Sequence, residues 1–167
     1  WDIGLGVVGK ITIPASVIDI QPCCLGYNPS TLTEIVVEGG NPVYYSVDGV
    51  LYEGDSLIWC PGGKCGELKI PDGVTSVGDQ ACEECKSLTS VSFPDTIAYI
   101  GYEAFQNCTG LTSIETSADC IFAWAFSGCS GLTSVTLQSG VREVINEAFG
   151  GCSHLKTVAI PSSVTCI

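Results

Sequence analysis

The sequence predicts a β-rich solenoid, and three observations carry that reading. Anchoring leucines stand at Leu88, Leu111, Leu132 and Leu155, in steps of 23, 21 and 23 residues. The cysteines Cys85, Cys108, Cys129 and Cys152 keep the same steps. So do the pairs Ala104-Phe105, Ala125-Phe126 and Ala148-Phe149, with Ala81-Cys82 one repeat earlier. Three markers sharing one register, with a period in the low twenties, mark stacked structural repeats. A repeat this short cannot bury its apolar residues alone and must do so against its neighbours. The expected architecture is one solenoid over residues 1–167, with a parallel sheet on one face and short helical turns on the other. It should contain about seven turns and one inserted β-hairpin near 41–60.

Taken in order, the opening WDIGLGVVGK carries little pattern, and Ile11-Thr12-Ile13-Pro14 then reads as a strand and a turn. Val17 and Ile20 are the next inward residues. Cys24-Leu25 stands where Ala-Phe stands later, and Asn28 roughly replaces the slot cysteine. The second repeat is the irregular one. Val37 to Ile70 is 33 residues against 23 from Ile70 to Phe93. Its surplus holds NPVYYSVDGVLY and SLIWC, two β-rich runs separated by Glu53-Gly54-Asp55, which indicates a hairpin projecting from the stack or folded over a face. In the regular repeats, L-x-x-V-x-F alternates as a strand, placing Val91 and Phe93 inward and Ser90 and Ser92 outward. Pro94 stops it, because proline has no amide hydrogen for a ladder. Ile97 and Ile100 return to the core, and Tyr102 to Asn107 are expected to form a helical turn burying Ala104 and Phe105. Strands ending near Ile13, Val37, Ile70, Phe93, Thr116, Leu137 and Ile160 would build a sheet about 30 Å long.

Composition narrows the function classes. Six basic against 18 acidic residues give a formal charge of −12. Such a surface repels nucleic acid and anionic lipid. No apolar run approaches the roughly 20 residues that span a bilayer, so direct membrane insertion is not expected. The chain has no methionine, and its last repeat stops before its Ala-Phe and Cys, which suggests a segment of a longer protein. Eleven cysteines invite a disulfide framework. However, the slot cysteines recur in a position suited to a small buried hydrophobe, so free thiols are expected there. Cys60 and Cys65 fall outside that register and are the candidates for a disulfide across Pro61-Gly62-Gly63-Lys64.

The chemistry-bearing motifs are sparse. His154, the only histidine, occupies a variable turn site, and the sequence supplies neither an oriented nucleophile nor a third group for it. Cys60, Cys65, Cys82 and Cys85 superficially match zinc-ribbon spacing, but Cys82 and Cys85 would have to leave the repeat register to reach a metal. Asn107-Cys108-Thr109 fits a glycosylation sequon weakly, because Cys108 is expected to be buried. Asp48, Glu53 and Asp55 lack the ordered spacing of a calcium loop and read as solvated turn acids. No metal, cofactor or catalytic residue is implied. A carbohydrate-acting solenoid would need carboxylates grouped at one cleft, whereas these are scattered.

Two surfaces are candidates for binding. Ser90, Ser92, Ser113, Glu115, Ser134, Thr136 and Thr157 would stack in columns on the outer sheet face, serving either a broad contact or a solvated surface. Trp124 stands where other repeats carry Gln80, Glu103 and Glu147 and should reach the surface. Tyr44, Tyr45, Tyr52 and Trp59 crowd the hairpin, as interface anchors or as packing onto the solenoid.

The pattern L-T-S-V-x-x-P…I-G-x-x-A-F-x-x-C resembles the BspA-like leucine-rich repeats of bacterial and protist surface proteins. The resemblance covers Ile11 to Ile167, and NPVYYSVDGVLY looks like that family's hairpin-bearing repeat. Departures are Cys82 in the phenylalanine slot, Thr116 in a strand-core slot and the shortened repeat around Ala118 to Phe122. The resemblance implies an elongated, non-catalytic, extracellular or cell-surface module for adhesion or protein binding. Its partner would be a protein, possibly a glycan, or a neighbouring subunit. The alternative is a structural spacer without a ligand of its own.

Overall fold

The structure, a computed structural model, describes residues 9–20, 28 and 30–167. Cys24-Leu25 and most of the opening decapeptide lie outside the described residues. The solenoid is present. Its outer sheet contains β1 (Lys10–Ile13), β2 (Glu34–Val37), β6 (Gly66–Lys69), β8 (Leu88–Ser92), β10 (Ser113–Thr116), β12 (Ser134–Leu137) and β14 (Thr157–Ala159). All pairings within it are parallel, but the sheet is not continuous. It falls into β1-β2, β6-β8 and β10-β12-β14. The first break lies where the inserted segment leaves the stack, and the second lies between β8 and β10.

A second sheet was not legible in the sequence. It is made by β7 (Ser76–Val77), β9 (Tyr99–Ile100), β11 (Cys120–Ile121) and β13 (Glu143–Val144), paired in parallel register. Each strand has two residues, too short to show alternation. The inserted segment joins this sheet. It is a three-stranded meander of β3 (Tyr44–Val47), β4 (Val50–Glu53) and β5 (Ser56–Trp59), and β5 pairs in parallel with β7. The expected hairpin is therefore one strand longer than predicted, and it extends a sheet instead of projecting or covering a face. Its first turn, Asp48-Gly49, has positive φ at both residues, 52° and 78°. That is the twist a two-residue hairpin loop requires.

The predicted helical turns are absent among the described residues. Four successive coils instead place two residues in the left-handed region, four positions apart. Gln80, Glu103, Trp124 and Glu147 fill the first position, with φ of 57°, 53°, 55° and 52°. Glu84, Asn107, Gly128 and Gly151 fill the second, with φ of 62°, 58°, 71° and 71°. A right-handed helix cannot contain such residues. The gain is a ladder between coils. The amides of Glu103, Phe105 and Asn107 donate to the carbonyls of Ala123, Ala125 and Ser127, while Ala104, Gln106 and Cys108 donate three residues back within their own turn. Alternate amides thus hold the turn and bind the next coil, and a backbone that must be satisfied somewhere is satisfied in both directions.

The core runs along the stack. Phe105 and Phe126 lie with ring centroids 5.2 Å apart and planes within 1°, and Phe126 and Phe149 follow at 5.3 Å and 3°. Phe93 meets Phe105 edge-on at 5.9 Å. Offset or T-shaped packing of this kind adds to burial alone. Close stacking also needs glycine where coils touch: a Cβ on Gly110 would sit 2.5 Å from the Lys86 carbonyl and 2.6 Å from that of Leu88.

Candidate functional site

Cysteine chemistry is internal. Cys108, Cys129 and Cys152 direct their thiols to the carbonyl oxygens of Cys82, Phe105 and Phe126 on the preceding coil, at 3.0, 3.0 and 3.2 Å. The same carbonyls accept the turn amides of Cys85, Cys108 and Cys129. A slot cysteine is therefore both a small apolar filler and a weak donor that fills a carbonyl's second lone pair. Cys85 makes the equivalent contact to the Cys60 carbonyl at 3.5 Å. Asn28 closes that end of the row, donating from Nδ2 to the Cys60 and Glu83 carbonyls at 2.9 Å each and accepting the Gly62 amide at 2.6 Å.

This register corrects the reading of Cys60 and Cys65. The Cys60 amide donates to the Ala81 carbonyl, as the amides of Cys82, Phe105 and Phe126 donate to Ala104, Ala125 and Ala148. Cys60 thus occupies the aromatic slot of its coil and is fully buried, while Cys65 is exposed; both are free thiols. With one side chain sealed inside and the other outside, no Cys60–Cys65 disulfide is formed. Cys65 likewise stands apart from buried Cys60, Cys82 and Cys85, so the zinc-ribbon spacing does not become a cluster.

Two of the candidate binding aromatics also belong inside. Tyr52 is 0% exposed and Trp59 only 7%, so neither can touch a partner. Tyr44 is buried as well, its hydroxyl accepting the Ile20 amide at 3.0 Å. Only Tyr45 of this group is exposed, stacked on Tyr52 at 5.2 Å. Tyr44 and Trp59 seal the meander against Leu32 and Ile35 of the first coils, while Tyr52 packs into the main core with Leu57, Cys60 and Cys82. The Tyr52 hydroxyl is enclosed without a hydrogen-bond partner. Burial, then the nearby thiols of Cys82 and Cys60, hold its ionisation far above the ordinary tyrosine range. An unsatisfied buried hydroxyl costs about 1–3 kcal/mol. Tyr52→Phe is therefore expected to raise the thermal midpoint, checked by calorimetry; a lower midpoint would mean that the hydroxyl has a partner.

The small polar residues do lie on the outer sheet. Ser113, Ser134 and Thr157 are in one register row, and Glu115 and Thr136 share the next. Ser90 and Ser92 pair instead with Glu67 and Lys69 on the separate β6-β8 piece. The columns are thus interrupted at the second break, where a shallow notch of about 250 Å³ opens between Ser92, Phe93, Asp95, Glu115 and Gln138. Gln138 donates to Glu115 at 2.8 Å there. His154 is an exposed turn residue whose Nδ1 lies 2.7 Å from the Ser130 carbonyl.

The second sheet carries the sharper feature. Tyr99 is 49% exposed while its neighbour Ile100 is fully buried, so β9 presents the tyrosine outward. On the adjacent coil Phe122 is 39% exposed, and its ring lies 6.5 Å from that of Tyr99. Tyr102, also exposed, meets Trp124 edge-on at 5.4 Å. Two aromatic pairs, Tyr99 with Phe122 and Tyr102 with Trp124, thus bridge the same two consecutive coils within three residues of each other along the chain. Trp124 is half-buried, its indole N–H donating to Glu147 at 3.3 Å. The sequence pointed to Trp124 alone. The other three could be found only by knowing that β9 and β11 exist, since their register brings the two coils together.

With this geometry in place, the comparisons agree. The BspA type Leucine rich repeat region, in 6 copies, matches residues 62–167. The chain belongs to the BspA-type leucine-rich repeat family. Among solved structures, a leucine rich cell surface protein from Faecalibacterium prausnitzii A2-165 is similar at 24% identity and a TM-score of 0.66, over 91% of this chain and 48% of that one. The pneumococcal vaccine antigen PcpA is similar at 22% identity and a TM-score of 0.67, over 95% and 50%. A leucine-rich repeat protein from Eubacterium ventriosum follows at 24% and 0.62, over 93% and 56%. At these identities the likeness is one of fold. The chain spans about half the length of these structures. No curated protein matches it by sequence.

Proposed function

We propose that this BspA-type repeat segment is a non-catalytic protein-interaction module of an extracellular or cell-surface protein. The observation that carries the reading is the grouping of exposed Tyr99, Tyr102 and Phe122 with half-buried Trp124 on two consecutive coils of an acidic solenoid. Grouped exposed aromatics lose apolar area to water unless a partner covers them, and Trp and Tyr are favoured anchors of protein contacts. The family assignment and the cell-surface protein among the similar folds support the location. The non-catalytic reading is supported by the slot cysteines Cys108, Cys129 and Cys152, whose thiols are engaged by carbonyls of the preceding coil. The competing reading is a spacer that holds neighbouring domains apart.

Affinity capture with the immobilised chain separates the two. A binding module retains a defined protein from the native extract and loses it on Trp124→Ala, in a variant whose circular dichroism matches that of the parent. A spacer retains nothing that the substitution changes.

A further inference from the structure

We infer that the aromatic surface takes a cationic segment of a partner protein, its lysine or arginine side chains lying against the rings of Tyr99, Tyr102, Phe122 and Trp124. This deepens the interaction-module reading and rests on it. Carboxylates surround the rings of Tyr102 and Trp124. Glu147 accepts the Trp124 indole N–H at 3.3 Å, and Asp79 accepts the Tyr102 amide at 2.8 Å. Glu103 is held beside them by Gln80 at 2.7 Å. This negative charge has no cationic partner among the ion pairs of the described residues. The ion pairs among the described residues are Lys10–Glu34, Lys64–Asp48, Lys86–Glu84 and Arg142–Asp119, and none involves Asp79, Glu83, Glu103 or Glu147. Crowding shows in the titration: burial, then Glu103 and Glu84, raise the Glu83 carboxyl, and the Tyr102 hydroxyl is raised by desolvation and then by Glu103.

Aromatic faces attract cations through their quadrupole, and carboxylates at the rim add charge complementarity. An apolar partner would have to desolvate those carboxylates without compensation. An acidic partner would be repelled. A lysine or arginine side chain satisfies both parts, its aliphatic stem on the rings and its charge toward Glu103 and Glu147.

The test is fluorescence anisotropy of labelled peptides of equal length, rich in arginine, lysine, glutamate or serine, titrated with the full chain. Since an acidic protein attracts any polycation weakly, the deciding variants keep the net charge. Trp124→Ala and Phe122→Ala are each expected to weaken the cationic peptides about fivefold. Glu103→Gln with Glu147→Gln should weaken them more than Glu67→Gln with Glu115→Gln, which removes equal charge from the other sheet. Glutamine is accommodated in that left-handed slot, as Gln80 shows, and circular dichroism confirms folding of each variant. Binding that ignores Trp124→Ala and Phe122→Ala, or that falls equally with either charge pair, overturns the inference. So does binding of a neutral hexasaccharide where the cationic peptides fail. If the peptides fail but a captured protein is still lost on Trp124→Ala, the module reading stands and this inference alone falls.

Discussion

Phe126→Ala is expected to cost about 3–5 kcal/mol, the range for deleting a fully buried ring. Phe126 is 0% exposed and is the middle ring of the row, stacked on Phe105 to one side and Phe149 to the other. Its removal leaves a cavity and breaks two ring contacts at once. In stacked repeats stability is shared between neighbours, so the loss should spread to both adjacent coils. Phe149→Ala provides the comparison. That ring is only partly buried and has one stacking partner in the row, so its loss should be clearly smaller. Urea unfolding of the two variants checks the order, and hydrogen exchange shows where the opening spreads. Equal losses would mean that the row does not act as a continuous core.

Raising the pH above about 8.5, where an unfolded thiol ionises, is expected to destabilise the protein steeply. Cys82 is pushed up to about 11 by burial. Cys60, Cys85 and Cys108 are raised well above the ordinary thiol range, by hydrogen bonds to Cys82, Cys60 and Cys129 respectively and by burial. In the alkaline window the folded chain keeps these protons while the unfolded chain has lost them. The native state then binds more protons, and stability falls as pH rises. Below the unfolded thiol value the contribution is complete, and the decline continues until the folded values are reached. Each thiol that stays protonated only in the folded chain contributes up to about 1.4 kcal/mol per pH unit, so several enclosed thiols make the decline steep. Thermal midpoints from pH 7 to 10.5 check this, and substituting alanine at Cys82 and Cys108 should flatten the decline. A midpoint insensitive to pH would contradict the enclosed-thiol core. Iodoacetamide gives an independent view, since exposed Cys65 and Cys166 should react in the native protein while the enclosed thiols do not.

How much of this was legible in the sequence follows from what repeats can and cannot encode. The strand leucines, the Ala-Phe pairs and the slot cysteines recur because each must meet its own copy one coil away, so the outer strands and the ring row could be read directly. Backbone geometry left a weaker trace. Gln80, Glu103, Trp124 and Glu147 share a left-handed conformation that glycine usually signals, and no glycine marks it. The segment therefore resembled a helical turn. Two-residue strands carry no alternation, so the second sheet and the aromatic surface built on it were invisible except at Trp124. Cys60 was misread because the inserted meander shifts its coil's spacing, although its amide makes the same contact as those of Cys82 and Phe105. Tyr52 and Trp59 have the composition of interface anchors, and only the packing of the meander shows them enclosed.

The central claim is that successive coils lie directly on one another around a common interior. The most direct measurement is an NMR experiment on protein with selectively protonated phenylalanine rings in a deuterated background, reading cross-relaxation between assigned rings. The structure predicts contacts for Phe105 with Phe126, Phe126 with Phe149 and Phe93 with Phe105. It predicts none for Phe105 with Phe149, which are separated by the intervening ring. Absence of the two stacked contacts, or a direct contact between Phe105 and Phe149, would contradict the stacked-coil architecture.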